Sequence, residues 1–311
     1  MKALRKALQE YLAVRRSLGF ELRNIDRPLH NFVSFLERQG ISYITTDLAL
    51  CWAKQPVNAQ PAHWARRLSA VRGFAQYRSA TDPRTQVPPQ GLLPYCYRRI
   101  SPYLYSRHEI VQLLKAAGQL RTTKGLRPKT YSTLFGLLAV TGIRISEALA
   151  LDRDDVDLAQ GVLTIRRTKC HKSRLVPLHP SAERKLQQYA CRRDQVHPRP
   201  ISPGFFLSDH GGRVTQWAAR WAFVQVSRQI GLRGPSDSRG PRLHDFRHGF
   251  AVRTLLTWYR TGIDAETHLP ELAAYLGHAH VTDTYWYLTA TPELLRLAAR
   301  RLDRPKGDSL S

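Results

Sequence analysis

The chain has 311 residues, of which 42% are hydrophobic, so it is long enough to form two domains with apolar cores. Its 48 Lys and Arg residues outnumber its 24 Asp and Glu residues, and the resulting net charge of +24 indicates a polyanionic partner. No apolar run is long enough for a membrane span, and the basic N-terminus lacks the pattern of a secretory signal, so we expect a cytoplasmic protein without a membrane partner.

In the first part of the chain, apolar residues recur with helical spacing. This pattern predicts helices over residues 4–18 and 26–39, a third helix capped by Thr46 and Asp47, and a fourth that Pro61 opens. These elements predict a small helical domain over residues 1–80. Residues 81–103 combine several Pro residues with Gly and Arg, which is typical of a basic linker.

The second part of the chain contains both helical and strand patterns. Helices are predicted over 106–117, 130–140, 144–151, 181–193, 215–230, 244–260, 268–276, 281–287 and 292–302. Alternating and β-branched residues over 161–167 and 174–178 predict a β-hairpin. The expected fold is therefore mainly α with a small antiparallel β-sheet, with a second domain over 104–303 and a flexible tail over 304–311.

Positive charge is spread over both parts. Residues 1–104 hold 16 basic and 6 acidic residues, and residues 105–311 hold 32 and 18. A basic tail would concentrate the excess in one segment, so we expect both parts to touch the same long anion. Duplex DNA is the natural candidate, although charge alone leaves RNA and an anionic membrane surface open.

Four short segments stand out by their residue types and by their order. They are TGIRISEAL (141–149), TKCHKSRLVP (168–177), HDFRH (244–248), and LGH (276–278) followed by Tyr287. Arginine is the side chain best suited to neutralise charge that builds on a phosphate, because its planar fork binds two oxygens and keeps its proton. Arg144 follows a predicted turn into a helix, and Arg247 lies one helical turn after His244, so these two arginines are predicted to hold one phosphate.

Together and in this order, the four segments resemble the tyrosine recombinase (phage integrase) family. That family includes integrases of transposons and other mobile elements and the recombinases that resolve bacterial chromosome dimers. The resemblance covers residues 105–300 closely and the N-terminal helices by architecture alone. It implies a helical core-binding domain and a catalytic domain that close on DNA as a clamp.

Two residue choices stay open from the pattern alone. Lys169, in the turn of the predicted hairpin, is placed to protonate a departing 5′-oxygen, and Lys172 is its rival. By resemblance, Lys169 takes the position of the family's lysine. The family tyrosine falls nine residues after the histidine of the LGH segment, which selects Tyr287 as nucleophile over Tyr285.

The histidines and acids near the arginines are given different roles. By resemblance, His244 and His278 bind the scissile phosphate and handle protons. His248 is predicted to be a buried structural residue, because the HxxxH spacing lacks the Glu of a zinc signature and a third ligand. Glu147 is expected to orient Arg144 or to balance its charge. Asp245 is expected to have a similar role or simply to cap its helix.

The resemblance implies a site-specific recombinase that moves or integrates a mobile element through a 3′-phosphotyrosine at Tyr287. It implies no cofactor and no metal, a homotetramer on synapsed DNA sites, and a possible need for an accessory recombinase or DNA-bending protein. The protein would be nucleoid-associated when bound to DNA. Two alternatives remain: a type IB topoisomerase-like or telomere-resolving enzyme, and a catalytically idle DNA-binding accessory protein.

Overall fold

A computed structural model of the chain describes residues 2–22, 24–95, 101–166, 173–289 and 291–302. The chain divides into two compact units, Met1–Ile100 and Ser101–Ser311. The described residues are mostly helical and contain one small antiparallel sheet, which confirms the predicted fold class. None of the helices in these ranges combines the length and the hydrophobicity needed to cross a membrane.

The first unit is a bundle of helices. Its elements are α1 (Lys2–Ser17), α2 (Asp26–Arg38), α3 (Thr46–Lys54) and α4 (Pro61–Ser79). The apolar faces that the sequence predicts meet in one core, in which Phe32, Trp52 and Phe74 are fully buried. The cap of α3 is one residue earlier than predicted, since the Thr45 hydroxyl accepts the N–H of Leu48 at 3.2 Å.

Residues 82–95 lie against this bundle. The Arg72 guanidinium donates to the carbonyl oxygens of Pro88 and Pro89, both at 2.7 Å, and the Gln86 N–H donates to the Ile44 carbonyl at 2.8 Å. Prolines remove backbone donors but leave carbonyls, and here an arginine side chain satisfies two of those carbonyls.

The second unit surrounds a larger core. Its helices are α5 (Arg107–Ala117), α6 (Arg127–Thr141), α7 (Ile145–Ala150), α8 (Pro180–Val196), α9 (Gln216–Gln229), α10 (Asp245–Thr261), α11 (Ala265–Leu276), α12 (Thr282–Tyr285) and α13 (Pro292–Leu302). The core includes a group of buried aromatic rings: Tyr105, Phe135, Phe223 and Phe246. A second cluster in this unit joins α10, α11 and the segment that carries Tyr287.

The sheet has strand order β1-β2-β3, with β1 (Val156–Asp157), β2 (Val162–Ile165) and β3 (Arg174–Pro177) antiparallel to their neighbours. The β2–β3 pair is the predicted hairpin, in which Ile165 lies opposite Arg174. Strand β1 was not predicted, because two residues are too few to show an alternating pattern. The hairpin tip, residues 167–172, lies outside the described residues.

The C-terminal helices differ from the prediction in two places. Helix α11 begins at Ala265, three residues before the predicted start, and continues through Pro270. The predicted helix over 281–287 is shorter, since α12 ends at Tyr285 and a 3₁₀ turn covers Trp286–Thr289. The start of α13 agrees with the prediction, and the Thr291 hydroxyl accepts the Leu294 N–H at 3.1 Å.

Candidate active site

The C-terminal end of α11 lies at the centre of the candidate site. The last carbonyl groups of a helix have no partner within it and form the negative end of the helix dipole. Here three successive carbonyls accept arginine donors from three other elements: Tyr275 O from Arg174 Nε at 2.8 Å, Leu276 O from Arg247 Nη2 at 2.8 Å, and Gly277 O from Arg144 Nη2 at 2.9 Å. The helix end therefore brings together three arginines from well-separated positions in the chain, 144, 174 and 247.

Gly277 makes this convergence possible. It ends α11 in the left-handed conformation, with φ +68°, which a glycine adopts without steric cost. A Cβ atom at this position would lie 2.5 Å from Arg174 Nη1 and 2.8 Å from Arg174 Cζ. The glycine thus serves both the turn and the close approach of the arginine.

Arg144 is the N-cap residue of α7. It follows Gly142, which ends α6 in the left-handed conformation. Its backbone N–H and its Nη1 both donate to the carboxylate of Glu147, at 2.9 and 2.8 Å. The Arg144 side chain is therefore fixed by Glu147 on one side and by Gly277 on the other, as the predicted orienting role of Glu147 requires.

Glu147 also binds Arg174. Its carboxylate accepts Nη1 and Nη2 of Arg174 at 3.1 and 2.8 Å, and the Glu147 side chain is only 8% exposed. Burial alone would raise the pKa of Glu147, but the hydrogen bonds from Arg174 and Arg144 outweigh burial and lower the pKa below its usual value. Glu147 is thus an ionised bridge between two arginines at neutral pH.

Arg247 is the most deeply buried of the predicted site residues that the structure describes, at 2% exposure. Besides Leu276 it contacts Gly142, whose carbonyl oxygen accepts Nη1 at 3.0 Å. Burial and the neighbouring charge of Arg144 lower the pKa of Arg247 to about 10, so the guanidinium remains charged at neutral pH. A guanidinium has five N–H donors, and these carbonyl contacts set its plane while using only part of them.

His244 precedes α10 as its N-cap residue, and Asp245 is the first residue of the helix. The buried Asp245 carboxylate accepts the backbone N–H of Arg242 at 2.8 Å and its Nη2 at 2.8 Å, which fixes the entry into the helix. Partial desolvation of the His244 ring and the charge of Arg247 lower the pKa of His244. This ring is therefore neutral at neutral pH.

His278 follows the Gly277 turn. Its Nδ1 lies 2.8 Å from the hydroxyl of the buried Thr284, which leaves Nε2 as the ring nitrogen for a ligand. Burial and the charge of Arg247 lower the pKa of His278 to about 4. The ring is nearly parallel to that of Tyr287, with 18° between the planes and 6.0 Å between the centroids.

Tyr287 and Tyr285 have different environments. Tyr287 lies in the 3₁₀ turn after α12, is only 3% exposed, and interacts with the Arg247 guanidinium. Burial raises the pKa of Tyr287, and the charge and hydrogen bond of Arg247 oppose that increase. Tyr285 is 48% exposed. The structure thus brings Tyr287, and not Tyr285, to the arginines and His278.

His248 lies one turn after His244 on α10. Its ring centroid is 4.7 Å from that of His244, 5.0 Å from Trp286 and 5.5 Å from Tyr287. The ring is therefore packed between α10 and the turn that carries Tyr287.

The comparison with known families covers the part of the chain that holds the four segments. A model described as the phage integrase family matches residues 105–293, more than half of the chain. The chain belongs to the phage integrase family. As the segments predicted, it is a tyrosine-type recombinase.

Several relatives match this phage integrase family member over nearly its whole length. A protein of Sinorhizobium fredii, y4rB, whose name assigns it to the integrases or recombinases, is 53% identical over 98% of each chain. The tyrosine recombinase XerC of Chlamydia caviae is 30% identical and covers 93% of this chain and 94% of its own.

Solved structures show the same fold. The Tn1549 transposon integrase in complex with transposon right-end DNA aligns with a TM-score of 0.67 at 16% identity, covering 96% of this chain and 99% of that one. The XerH recombinase bound to a palindromic difH substrate aligns with a TM-score of 0.64 at 20% identity, covering 90% of this chain and 79% of that one. At such identities the likeness concerns the fold alone.

Lys169 and its rival Lys172 lie outside the described residues, in the segment between β2 and β3.

Within the described ranges, no group of three or more His, Cys, Asp or Glu side chains is arranged to hold a metal ion.

Arg174 is the residue that the sequence reasoning missed. It lies within the second of the four segments, where the pattern predicts only the first residue of a strand. A basic residue at the start of a strand is a weak signal, since its partners Glu147 and Tyr275 are remote in sequence. Its contacts make it a support for Arg144 through the shared carboxylate.

Proposed function

We propose that this chain is a site-specific recombinase that cuts duplex DNA with Tyr287 and rejoins it through a 3′-phosphotyrosine. The observation that carries the proposal is the burial of Tyr287 beside the Arg247 guanidinium and the His278 ring, while Tyr285 points to solvent. A tyrosine needs such a cationic environment because its usual pKa of about 10 makes it a weak nucleophile at neutral pH.

In this proposal, Arg144 and Arg247 bind the non-bridging oxygens of the scissile phosphate. Negative charge builds on these oxygens in the transition state, and preorganised donors stabilise it most when they need not move. The carbonyls of Leu276 and Gly277 and the carboxylate of Glu147 hold both guanidiniums in place before DNA arrives. That preorganisation supports a role in catalysis beyond simple binding.

The chemical step exchanges one phosphodiester for another. The Tyr287 oxygen forms a bond to phosphorus and the bond from phosphorus to the 5′-oxygen breaks. The tyrosine proton passes to the histidines and solvent, and Lys169 protonates the departing oxygen. His244 and His278 are suited to the phosphate because their lowered pKa values keep them neutral, so each can donate or accept a hydrogen bond there.

Rejoining reverses this step with the 5′-hydroxyl of a partner strand. Because the phosphotyrosine keeps the energy of the original bond, the reaction requires neither ATP nor a metal or organic cofactor. Exchange of both strand pairs then passes through a Holliday junction. A homotetramer on two synapsed sites is the assembly that this chemistry requires, with an accessory recombinase or DNA-bending protein as a further partner.

We assign DNA contacts to both units. Residues 1–80 act as the core-binding domain, residues 81–103 as a basic linker, residues 104–303 as the catalytic domain, and residues 304–311 as a tail. The positive charge of both parts supports a clamp on duplex DNA. The y4rB relative and the transposon integrase with its DNA support the integration or movement of a mobile element.

The test uses nicked duplexes that carry inverted repeats from the flanks of the protein's own gene, in buffer with EDTA. A nick next to the cleavage position releases a short fragment and traps the covalent complex, which a denaturing gel detects. We expect an adduct with the wild type and with Tyr285→Phe, and none with Tyr287→Phe. A duplex that is bound without adduct formation contradicts cleavage, and resealing without strand exchange indicates a topoisomerase-like enzyme.

A further inference from the structure

Among the described residues, the ring of His248 contacts both His244, at the start of α10, and Tyr287, in the 3₁₀ turn. Its ring is edge-on to His244, with 88° between the planes, and also edge-on to Trp286 and Tyr287, at 66° and 61°. The sequence predicts only a packing role for this histidine. The contacts place it between the two groups that must be aligned on the phosphate.

One nitrogen of His248 is unusual. Its Nδ1 atom is buried and has no hydrogen-bond partner among the described residues. A buried polar atom without a partner costs stability, so it calls for a physical explanation. A phenylalanine would fill the same place and make the same ring contacts without that cost, so packing alone does not explain the histidine.

We propose that His248 is a positioning residue for strand cleavage, whose Nδ1 gains its hydrogen-bond partner only when Tyr287 moves onto a bound phosphate. The inference rests on the proposed function of Tyr287. In the free protein the buried Tyr287 ring lies against His248, and Tyr287 interacts with Arg247. In this proposal the tyrosine hydroxyl moves from Arg247 to the phosphate when DNA binds. A bond that forms only in the cleavage-ready arrangement stabilises that arrangement and accelerates the step.

The charge state of His248 suits this role. Burial, followed by the neighbouring His244 and Arg242, lowers the pKa of His248 to about 3. The ring therefore stays neutral at neutral pH, so it adds no repulsion beside Arg247 and offers one nitrogen as acceptor and the other as donor.

Three variants distinguish the role of the Nδ1 atom from the packing role of the ring. His248→Phe keeps the ring and removes both nitrogens, His248→Asn keeps a polar atom at the Nδ1 position, and His248→Gln places one at the Nε2 position instead. Each is measured for melting temperature, for affinity to the nicked duplex that the wild type cleaves, and for the single-turnover rate of adduct formation at saturating protein.

We expect His248→Phe to bind DNA as the wild type does and to cleave about 10- to 100-fold more slowly. Its melting temperature should stay constant or rise, because an unpaired buried atom is removed. His248→Asn should recover a large part of the rate, and His248→Gln should not.

Two results would overturn the inference. Wild-type cleavage by His248→Phe would show that the nitrogen is not needed. Equal losses in all three variants, together with a lower melting temperature, would show a packing role only. If the wild type itself forms no adduct on a bound duplex, the proposed function fails first, which is a separate and recognisable outcome.

Discussion

Arg174 Nη2 lies 2.8 Å from Glu147 Oε2, which joins strand β3 to the first turn of α7 at the point where Arg144 is anchored. In the proposed mechanism, neither Arg174 nor Glu147 contacts the phosphate. Their pairing nevertheless sets the position of Arg144, because one carboxylate serves both guanidiniums. The Glu147 carboxylate is buried. Loss of its charge therefore leaves the positive charges of Arg144 and Arg174 without their shared negative partner.

Glu147→Gln tests this bridge. We expect a loss of about 2–4 kcal/mol in the free energy of unfolding, because one charge of a buried, hydrogen-bonded network is removed. Cleavage should fall more than DNA affinity, since Arg144 loses its orientation while the surface charge remains. Urea unfolding and single-turnover cleavage measure the two effects.

The exposed Glu266 on α11 provides the control for Glu147→Gln. Glu266→Gln should change stability by less than about 0.5 kcal/mol. Equal behaviour of the two variants would contradict the bridging role. Because the pKa of Glu147 is lowered in the folded state, its contribution is present at neutral pH and is lost only as the pH falls below 4.5.

Gly277→Ala tests the close approach of Arg174 to the end of α11. The alanine must adopt a left-handed conformation, which costs about 1 kcal/mol, and its Cβ also displaces the Arg174 guanidinium. Gly262→Ala is the matched control. Gly262 also ends a helix with φ +77°, but a Cβ there meets no atom within 4 Å.

Both variants have the backbone strain in common. The difference between their free energies of unfolding therefore measures the effect of the contact with Arg174. We expect Gly277→Ala to lose at least about 1 kcal/mol more stability than Gly262→Ala, and to be alone in losing cleavage. Thermal and urea unfolding, with the adduct assay, provide the comparison. Similar losses in both variants would show that only the left-handed turn matters at Gly277.

The sequence predicts the local features of the site better than the contacts that bring its residues together. The helix that begins after Arg144, the histidine and arginine one turn apart on α10, and the turn at Gly277 all follow from short segments with clear physical signals. Most helix bounds agree within a few residues, because apolar periodicity reports them directly.

What the sequence leaves open depends on contacts between remote residues. The carbonyls of Leu276 and Gly277 accept donors from Arg247 and Arg144, and backbone acceptors leave no mark in the residue types. Arg174 was missed for the same reason. The short strand β1 and the 3₁₀ turn at Tyr287 are set by tertiary packing, which local propensity does not report.

Acid should destabilise the protein in a defined range of pH. The pKa values of His244, His248 and His278 are lowered in the folded state, the last two to about 3 and about 4, from an ordinary value of 6.5. The unfolded chain therefore binds more protons below pH 6.5, so stability rises with pH there. These three rings therefore do not reduce the free energy of unfolding above pH 6.5, and they reduce it increasingly as the pH falls toward 4.

Urea midpoints at pH 8, 6.5, 5.5 and 4.5 measure this dependence. His248→Phe should reduce the loss between pH 6.5 and 4.5, because the ring with the lowest pKa no longer contributes. A wild-type midpoint that stays constant over this range, or a His248→Phe protein with the same slope as the wild type, would contradict the assignment.

The choice between Lys169 and Lys172 can be settled by the chemistry of the leaving group. A general acid matters when an oxygen departs as an alkoxide, and typically accelerates such a step by about 10²- to 10⁴-fold. A substrate with sulfur in place of the bridging 5′-oxygen needs no proton, because a thiolate is a far better leaving group. We therefore expect Lys169→Ala to be slow on the oxygen substrate and close to the wild type on the sulfur substrate.

Lys172→Ala is the internal control, three residues away in the same basic segment. It should weaken DNA binding without changing the ratio of the sulfur rate to the oxygen rate, because a phosphate contact acts equally on both substrates. Rescue of Lys172→Ala instead would move the general acid to that residue. If sulfur rescues neither variant, the proton comes from another group, and His244 becomes the residue to test next, because it is neutral at neutral pH and adjoins the same arginines.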